Sequence, residues 1–488
     1  MRLLSFSFLL TLLISGKLTA QITNDDPIEE DWSIEPAPVN CNAALGLGYR
    51  AAYDRNILPM DDMSSVVLLN YGKGSFGVAN IYRLRVMWQK SVPGIPLGIG
   101  KIGGNVVVFY RQEEKSADVH AALIDTKLKQ IVKDNIVYRL TDKVSDYMVE
   151  NTPSGKFDHL VIRVPDFSHQ SVWTRKADDV VETKKLQLVY IDENLSAKVI
   201  DITNDLDGGS FIATATAETG DHFITVLQQK SLVIRKYGPD GKTNAQLSTD
   251  FSYRDVEYAA PICVADKENP AAVCLSIKYK NGKKDDVINT LYADFATNTI
   301  LTTGETALNK DYKNTLKEKV QKNRDIQSAS FDYIDNLYPV QIIAAAGKII
   351  VIKEINEVHV HNQHLVVDIY DKMLRPLNTI VIDRNLQTFT HTGHSIGAHV
   401  KDEILYIVSS TLTGPAKLGV ILSEVNIKTN TFVKNTMLDK GRVLKEAITE
   451  GNATMWFNDC FITSELRPHG SVFKMPEFTA TLRRFVYQ

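Results

Sequence analysis

Residues 391–400 read HTGHSIGAHV, and within them Gly393-His394-Ser395-Ile396-Gly397 matches G-x-S-x-G. That pentapeptide is the nucleophile elbow of α/β-hydrolases, where a sharp strand-to-helix turn lifts a serine hydroxyl above a parallel sheet. A triad in the order nucleophile, acid, base can be drawn as Ser395, Asp459 and His469. The local context argues against it. The preceding TFTHT is polar and alternating, where an elbow follows a buried apolar strand. The residues after it lead within a few positions into ILYIVSS, which leaves no room for the helix the elbow requires. The expectation is a turn, with Gly393 and Gly397 shaping a connection between strands and no catalytic residues.

Histidine spacing offers a second chemistry. Six of the eleven histidines fall within 359–399, and in EVHVHNQH the residues Glu357, His359 and His361 alternate. On a strand all three share one face, and imidazoles projecting with a carboxylate can hold zinc or a similar divalent ion. His364, His391 and His394 would complete the candidate set. The competing reading is a polar face of an exposed hairpin, and the expectation is that no cofactor is bound.

Other motifs lack parts. Aligning Gly208 of DITNDLDGG with the glycine of a calcium loop puts Thr203 at the first ligand position and Thr214 where a bidentate Glu belongs. GIGKIGG (98–104) has no Lys-Ser/Thr pair after it and is no phosphate cradle. Asn194-Leu-Ser and Asn452-Ala-Thr are glycosylation sequons only in a host that modifies such sites.

The elements that must carry these residues follow from patterning. The first twenty residues combine Arg2, an apolar run from Leu3 to Ile14 and the small-residue site Leu18-Thr19-Ala20, so residues 1–20 read as a cleaved secretory signal. Export to a secreted or periplasmic location is expected, without integral membrane insertion. Without Arg2 and Lys17 the chain has 53 basic and 58 acidic residues, a net charge of −5, which disfavours nucleic acid as a partner. Residues 21–40 hold six carboxylates and three prolines and read as a mobile leader or a surface strap. Of the four cysteines, Cys263 and Cys274 flank VADKENPAAV in what reads as a hairpin, and Cys41 could join Cys460. Two disulfides are therefore the expectation in an oxidising compartment, with four buried thiols as the alternative.

From residue 41 to 488 the chain consists of short β-branched and aromatic runs such as NVVVFYR, LQLVYID, AAVCLSIKY and ILYIVSS. One segment differs. Residues 308–326 place Leu308, Tyr312, Leu316 and Val320 on one helical face and six Lys or Arg residues elsewhere, predicting an amphipathic helix that caps a sheet edge. Among the strands, a strand–polar turn–strand unit recurs at 78–92, 121–132, 188–200, 232–247, 290–303, 365–382 and 419–435. Each unit follows a further apolar strand. Sheets of three or four antiparallel strands hide both faces by stacking around an axis, so the expectation is an all-β propeller of seven blades, with six or eight as the alternatives, closed by TATLRRFVYQ.

The runs YPVQIIAAAGKIIVIKE, LVVDIYDKMLRPLNTIVI and HSIGAHVKDEILYIVSS resemble those of uncharacterised secreted propeller-like proteins of Gram-negative bacteria, over about the last third of the chain. The resemblance implies the fold and the compartment and transfers no site residue. The expected function is binding of an extracytoplasmic protein or glycan, with a serine hydrolase or a histidine-held metal as the alternatives.

Overall fold

The computed structural model describes residues 23–24, 28–32, 57–60, 64–70, 75–82, 85–113, 116–140, 146–151, 158–165, 183–228, 230–251, 262–281, 286–322, 331, 334–357, 361–387, 396–414, 417–443, 448–456, 460–469 and 477–486. These form antiparallel sheets that follow one another along the chain. Sheets 1 to 7 span residues 57–93, 95–139, 146–201, 210–250, 262–302, 337–387 and 396–443, each built of four strands in sequence order. Sheet 8 spans 448–486.

The sheets close into a ring. First strands of neighbouring sheets touch from sheet 1 to sheet 6 and again between sheets 7 and 8, while sheets 6 and 7 meet through Pro376–Gln387 and Ile404–Gly414. Ile57–Pro59 of sheet 1 then meets Ile448–Trp456 of sheet 8. That last contact makes the molecule a propeller of eight sheets, where the sequence pattern predicts seven. The reason lies in sheet 8. Every repeated unit found in the sequence is the hairpin of third and fourth strands in sheets 1 to 7. Sheet 8 has no such hairpin, because its third strand, Glu477–Val486, is flanked by the N-terminal segments Thr23–Asn24 and Ile28–Trp32. Thr23 lies opposite Val486 and Ile28 opposite Leu482. The propeller therefore begins before residue 41, and TATLRRFV closes the ring jointly with the acidic leader.

Middle strands are buried on both faces, because each sheet stacks on two neighbours. Val106 to Tyr110 are all buried, as are Val119 to Ile124 and Ala272 to Tyr279. This is why these strands read as continuous apolar runs. Outer strands are wet, as in the polar Thr243–Asp250. The core is thus a series of slabs between sheets. Phe76, Val108 and Tyr110 pack between sheets 1 and 2, Phe109, Val189 and Ile191 between sheets 2 and 3, and Ile352, Val367 and Ile407 between sheets 6 and 7.

Four of the turns that join third to fourth strands, in sheets 2, 3, 6 and 7, share one device. Asp125, Asp192, Asp371 and Asn426 each accept two backbone N–H groups from the turn that follows. A residue with positive φ then ends it: Lys129, Leu195, Leu374 and Asn430.

Two expectations need correction here. The helix α1 is shorter than 308–326, covering only Lys310–Lys317. Asn309 caps it by accepting from the N–H groups of Asp311 (3.0 Å) and Tyr312 (3.1 Å). It ends early because Val320 and Gln321 must straighten to pair in parallel with Val381 and Ile382, covering the outer edge of sheet 6. Its apolar stripe survives: Leu308 and Leu316 pack on Phe331, Ile334 and Val366. The second correction concerns the cysteines. Cys263 stands opposite Leu275 and Cys274 opposite Val264, so the two side chains leave opposite faces of sheet 5 and are not joined. A hairpin bridge would need the two directly opposite each other. Cys41 lies outside the described residues, and Cys460 opens a strand opposite Val486.

Candidate functional site

Antiparallel order puts the connections between first and second and between third and fourth strands at one end of the ring, and all others at the opposite end. The first end is closed by connections of two to six residues. At the second end seven connections are longer: 33–56, 166–182, 202–209, 251–261, 303–336, 388–395 and 470–476. A rigid ring thus presents one end with little projecting chain and one rich in loops.

Of the sequence-predicted metal set the structure describes Glu357, His361 and His364, all on the second and third strands of sheet 6. Glu357 and His361 are direct register partners across the second and third strands, and His361 also pairs with Gln387. His359, His391, His394 and Ser395 lie outside the described residues. His364 is buried and turned inward. Its ring lies 3.3 Å from the Asp383 carboxylate and stacks on Phe331 at 4.1 Å between centroids. The backbone explains that direction. Gln363 pairs with Asn385 and Leu365 with Ile382, so two residues, Asp383 and Arg384, oppose the single His364. Such a bulge re-aims side chains. Among the described residues no three His, Cys, Asp or Glu side chains come together to hold a metal.

The bulge also builds what the sequence reading missed. Arg384 is fully buried and bonds the Glu354 carboxylate, while its Nε donates to the Ser410 carbonyl of sheet 7 at 2.9 Å. The Asn385 N–H donates to Thr411 Oγ1 at 3.1 Å across the same seam. Deeper in sheet 6, buried Lys353 pairs with Asp368, which also accepts from Thr379 Oγ1 (2.7 Å) and Tyr370 OH (3.2 Å). Burial alone would drive the Lys353 ammonium to give up its proton, but the Asp368 carboxylate, with Tyr312 and Tyr370 beside it, more than offsets that and raises the pKa. These buried pairs link strands of sheet 6 and are suited to anchoring strand ends. Their signal in the sequence is a charge set inside an apolar run: Lys353-Glu354 in KIIVIKE, Asp368 in LVVDIYD, Asp383-Arg384 in IVIDRN.

Of the serine motif the structure describes only the end, since Gly393, His394 and Ser395 lie outside the described residues. Its last two residues, Ile396 and Gly397, open the antiparallel strand Ile396–Lys401, which pairs with Ile404–Gly414. No helix follows. Of the alternative triad the structure describes only His469, the last residue of the strand Cys460–His469. Asp459 lies outside the described residues.

The calcium-like loop spends its carboxylates locally. Asp201 accepts from the N–H of Thr203 and from Gln187, and Asp205 from Tyr237 OH. GIGKIGG is a strand ending in the tight turn Gly103-Gly104, both with positive φ. Among the described residues no helix is long and apolar enough to cross a membrane.

No protein-family model matches the chain, and neither does any curated protein. Solved structures of similar shape include Saccharomyces cerevisiae Sqt1 (10% identity, TM-score 0.42, covering 89% of this chain and 94% of that one). The WD40 domain of Toxoplasma gondii coronin is similar at 8% identity and a TM-score of 0.37, over 96% and 86% of the two chains. An ulvan lyase of polysaccharide lyase family PL25 is similar at 9% identity and 0.43, over 78% and 90%. All three TM-scores fall below 0.5, and the propeller assignment rests on the strand order and ring contacts described above.

Proposed function

We propose that this chain is an exported binding propeller, secreted or periplasmic, that engages a protein or glycan ligand through the loop-rich end of its ring and performs no chemistry on it. The observation that carries the reading is the division of connections: one end is closed by connections of two to six residues, while the seven long connections share the other. Loops held on a rigid scaffold are where recognition residues concentrate. The buried pairs Arg384–Glu354 and Lys353–Asp368 support it, because they fix strands beside the 388–395 connection without presenting a reactive group. Export rests on residues 1–20 and on the resemblance to secreted propeller-like proteins.

The test joins a glycan array and capture of extracytoplasmic proteins to hydrogen-exchange mapping of any ligand found. Protection is expected at 202–209 and at the strand ends around Gln387 and Ile396. Protection confined to the tight turns, or turnover of the ligand, refutes the reading. N-terminal sequencing of exported protein should start near Gln21.

A second reading, a metal site at the same end, is favoured by one observation, the register pairing of Glu357 with His361. Stoichiometric zinc in purified protein, lost when His359 and His361 are replaced together, would establish it. Fluorophosphonate labelling abolished by Ser395→Ala would establish the hydrolase instead.

A further inference from the structure

The outer strand of each propeller sheet offers an unpaired main-chain edge to solvent, and stable proteins shorten, cover or charge such edges. Most outer strands here obey. That of sheet 6 is covered by Val320–Gln321, and sheet 8 is flanked by the N-terminal segments. Sheets 3 and 5 end on Ala197–Asp201 and Thr299–Thr302, of five and four residues. Sheet 4 ends on the polar TNAQLSTD.

Sheet 2 is different. Its outer strand, Gln130–Arg139, is ten residues long. Those of sheets 1 and 7, Arg85–Pro93 and Thr431–Val443, are also long, but each carries a single large exposed apolar side chain among the described residues, Met87 and Val433. Of the nine large apolar side chains exposed among the described residues, four (Leu128, Ile131, Val132 and Ile136) sit on Gln130–Arg139 or on the turn before it, at 37–62% exposure. Beside it, between sheets 2 and 3, runs an open groove of about 450 Å³. Ile136, Val137, Tyr138 and Val199 line it together with the cations Arg139 and Lys185, and no carboxylate does. Residues 127–139 carry Lys127, Lys129, Lys133 and Arg139 against the single carboxylate Asp134. Asp134 is engaged by Tyr110 and His120, and Arg139 is met by Asp118. Two register shifts, at Val132 and Val137, leave 133–136 as the regular stretch, so a visiting strand would gain a short ladder with apolar contacts at its ends.

We propose that this edge accepts an extended segment of a partner protein in which apolar and acidic residues alternate, added as a fifth strand of sheet 2. Charge selects the occupant. A second copy of this chain would lay a strand with excess lysine against itself, whereas a carboxylate-bearing strand complements it.

The experiment uses the full chain and two fluorescein-labelled ten-residue peptides, one alternating valine with glutamate and one alternating valine with lysine, read by fluorescence anisotropy. The acidic peptide should bind at least tenfold tighter than the basic one. The double substitution Ile131→Ser/Ile136→Ser should weaken it at least tenfold with an unchanged far-UV spectrum, and Met373→Ser on sheet 6 should leave it unaffected. Equal affinity for the two peptides, no binding of either, or binding indifferent to the double substitution overturns the proposal. A dimer in sedimentation that the double substitution dissolves also overturns it, by naming a second copy as the occupant.

Discussion

Replacing Arg384 with methionine removes a guanidinium that is fully buried and leaves the Glu354 carboxylate, 4% exposed, without its cation. It also deletes the 2.9 Å bond to the Ser410 carbonyl that ties sheet 6 to sheet 7. Breaking a buried pair from one side costs about 3–5 kcal/mol, because the surviving charge keeps its desolvation penalty and loses its partner. At 1.4 kcal/mol per factor of ten, a loss of about 4 kcal/mol raises the unfolded fraction roughly a thousandfold. Removing both partners behaves differently. Arg384→Met/Glu354→Met deletes both desolvation penalties and keeps most of the volume, so it should return to within about 1.5 kcal/mol of the parent. Urea unfolding of the parent, both singles and the double closes the cycle. A single substitution that costs less than about 1 kcal/mol, or a double as unstable as the singles combined, would refute the claim that this pair's worth lies in mutual neutralisation.

Gly94 alone connects sheets 1 and 2, with φ +127, and a Cβ there would meet the Arg111 carbonyl and, at 2.8 Å, the Tyr110 ring. Gly94→Ala should lower stability by about 2 kcal/mol or more in chemical denaturation. Deleting residues 21–32 from the mature protein should uncover the Glu477–Val486 edge, lowering the melting temperature and promoting concentration-dependent association in sedimentation. Burial pushes the Cys274 thiol well above the ordinary range, so alkylation should reach it only after unfolding. Burial, with Lys267 and Lys401 nearby, lowers the pKa of His399, which stacks on Trp456 at 5.4 Å. The folded protein thus binds this proton less readily than the unfolded chain. The stabilisation is complete above about pH 6.5 and lost as pH falls toward the folded value. His399→Phe should therefore narrow the gap between urea midpoints at pH 7.5 and pH 5.5; an unchanged gap would show that His399 does not set it.

The all-β class and the third-to-fourth-strand hairpins were legible in the sequence, because both are local. A run such as NVVVFYR has one way to bury its apolar side chains, and Asp125 or Asp371 closes its own turn within a few residues. The strand that begins at Ile396, directly after Ser395, was legible in the same way, from the apolar run that follows it. The sheet count was not local. Sheet 8 pairs its last strand with residues more than 440 positions away, and no periodic pattern reports such a pairing. The cysteines turn on register: a one-residue offset across sheet 5 sends Cys263 and Cys274 to opposite faces, while their sequence spacing is that of a hairpin pair. His364 turns on a bulge, which swung it inward to Asp383 and brought Arg384 to Glu354 and Ser410. Composition and patterning determined which elements form, because those depend on neighbours along the chain. The ring's size, its closure and the partners of its buried charges waited on tertiary structure, because they depend on which distant strands meet and in what register.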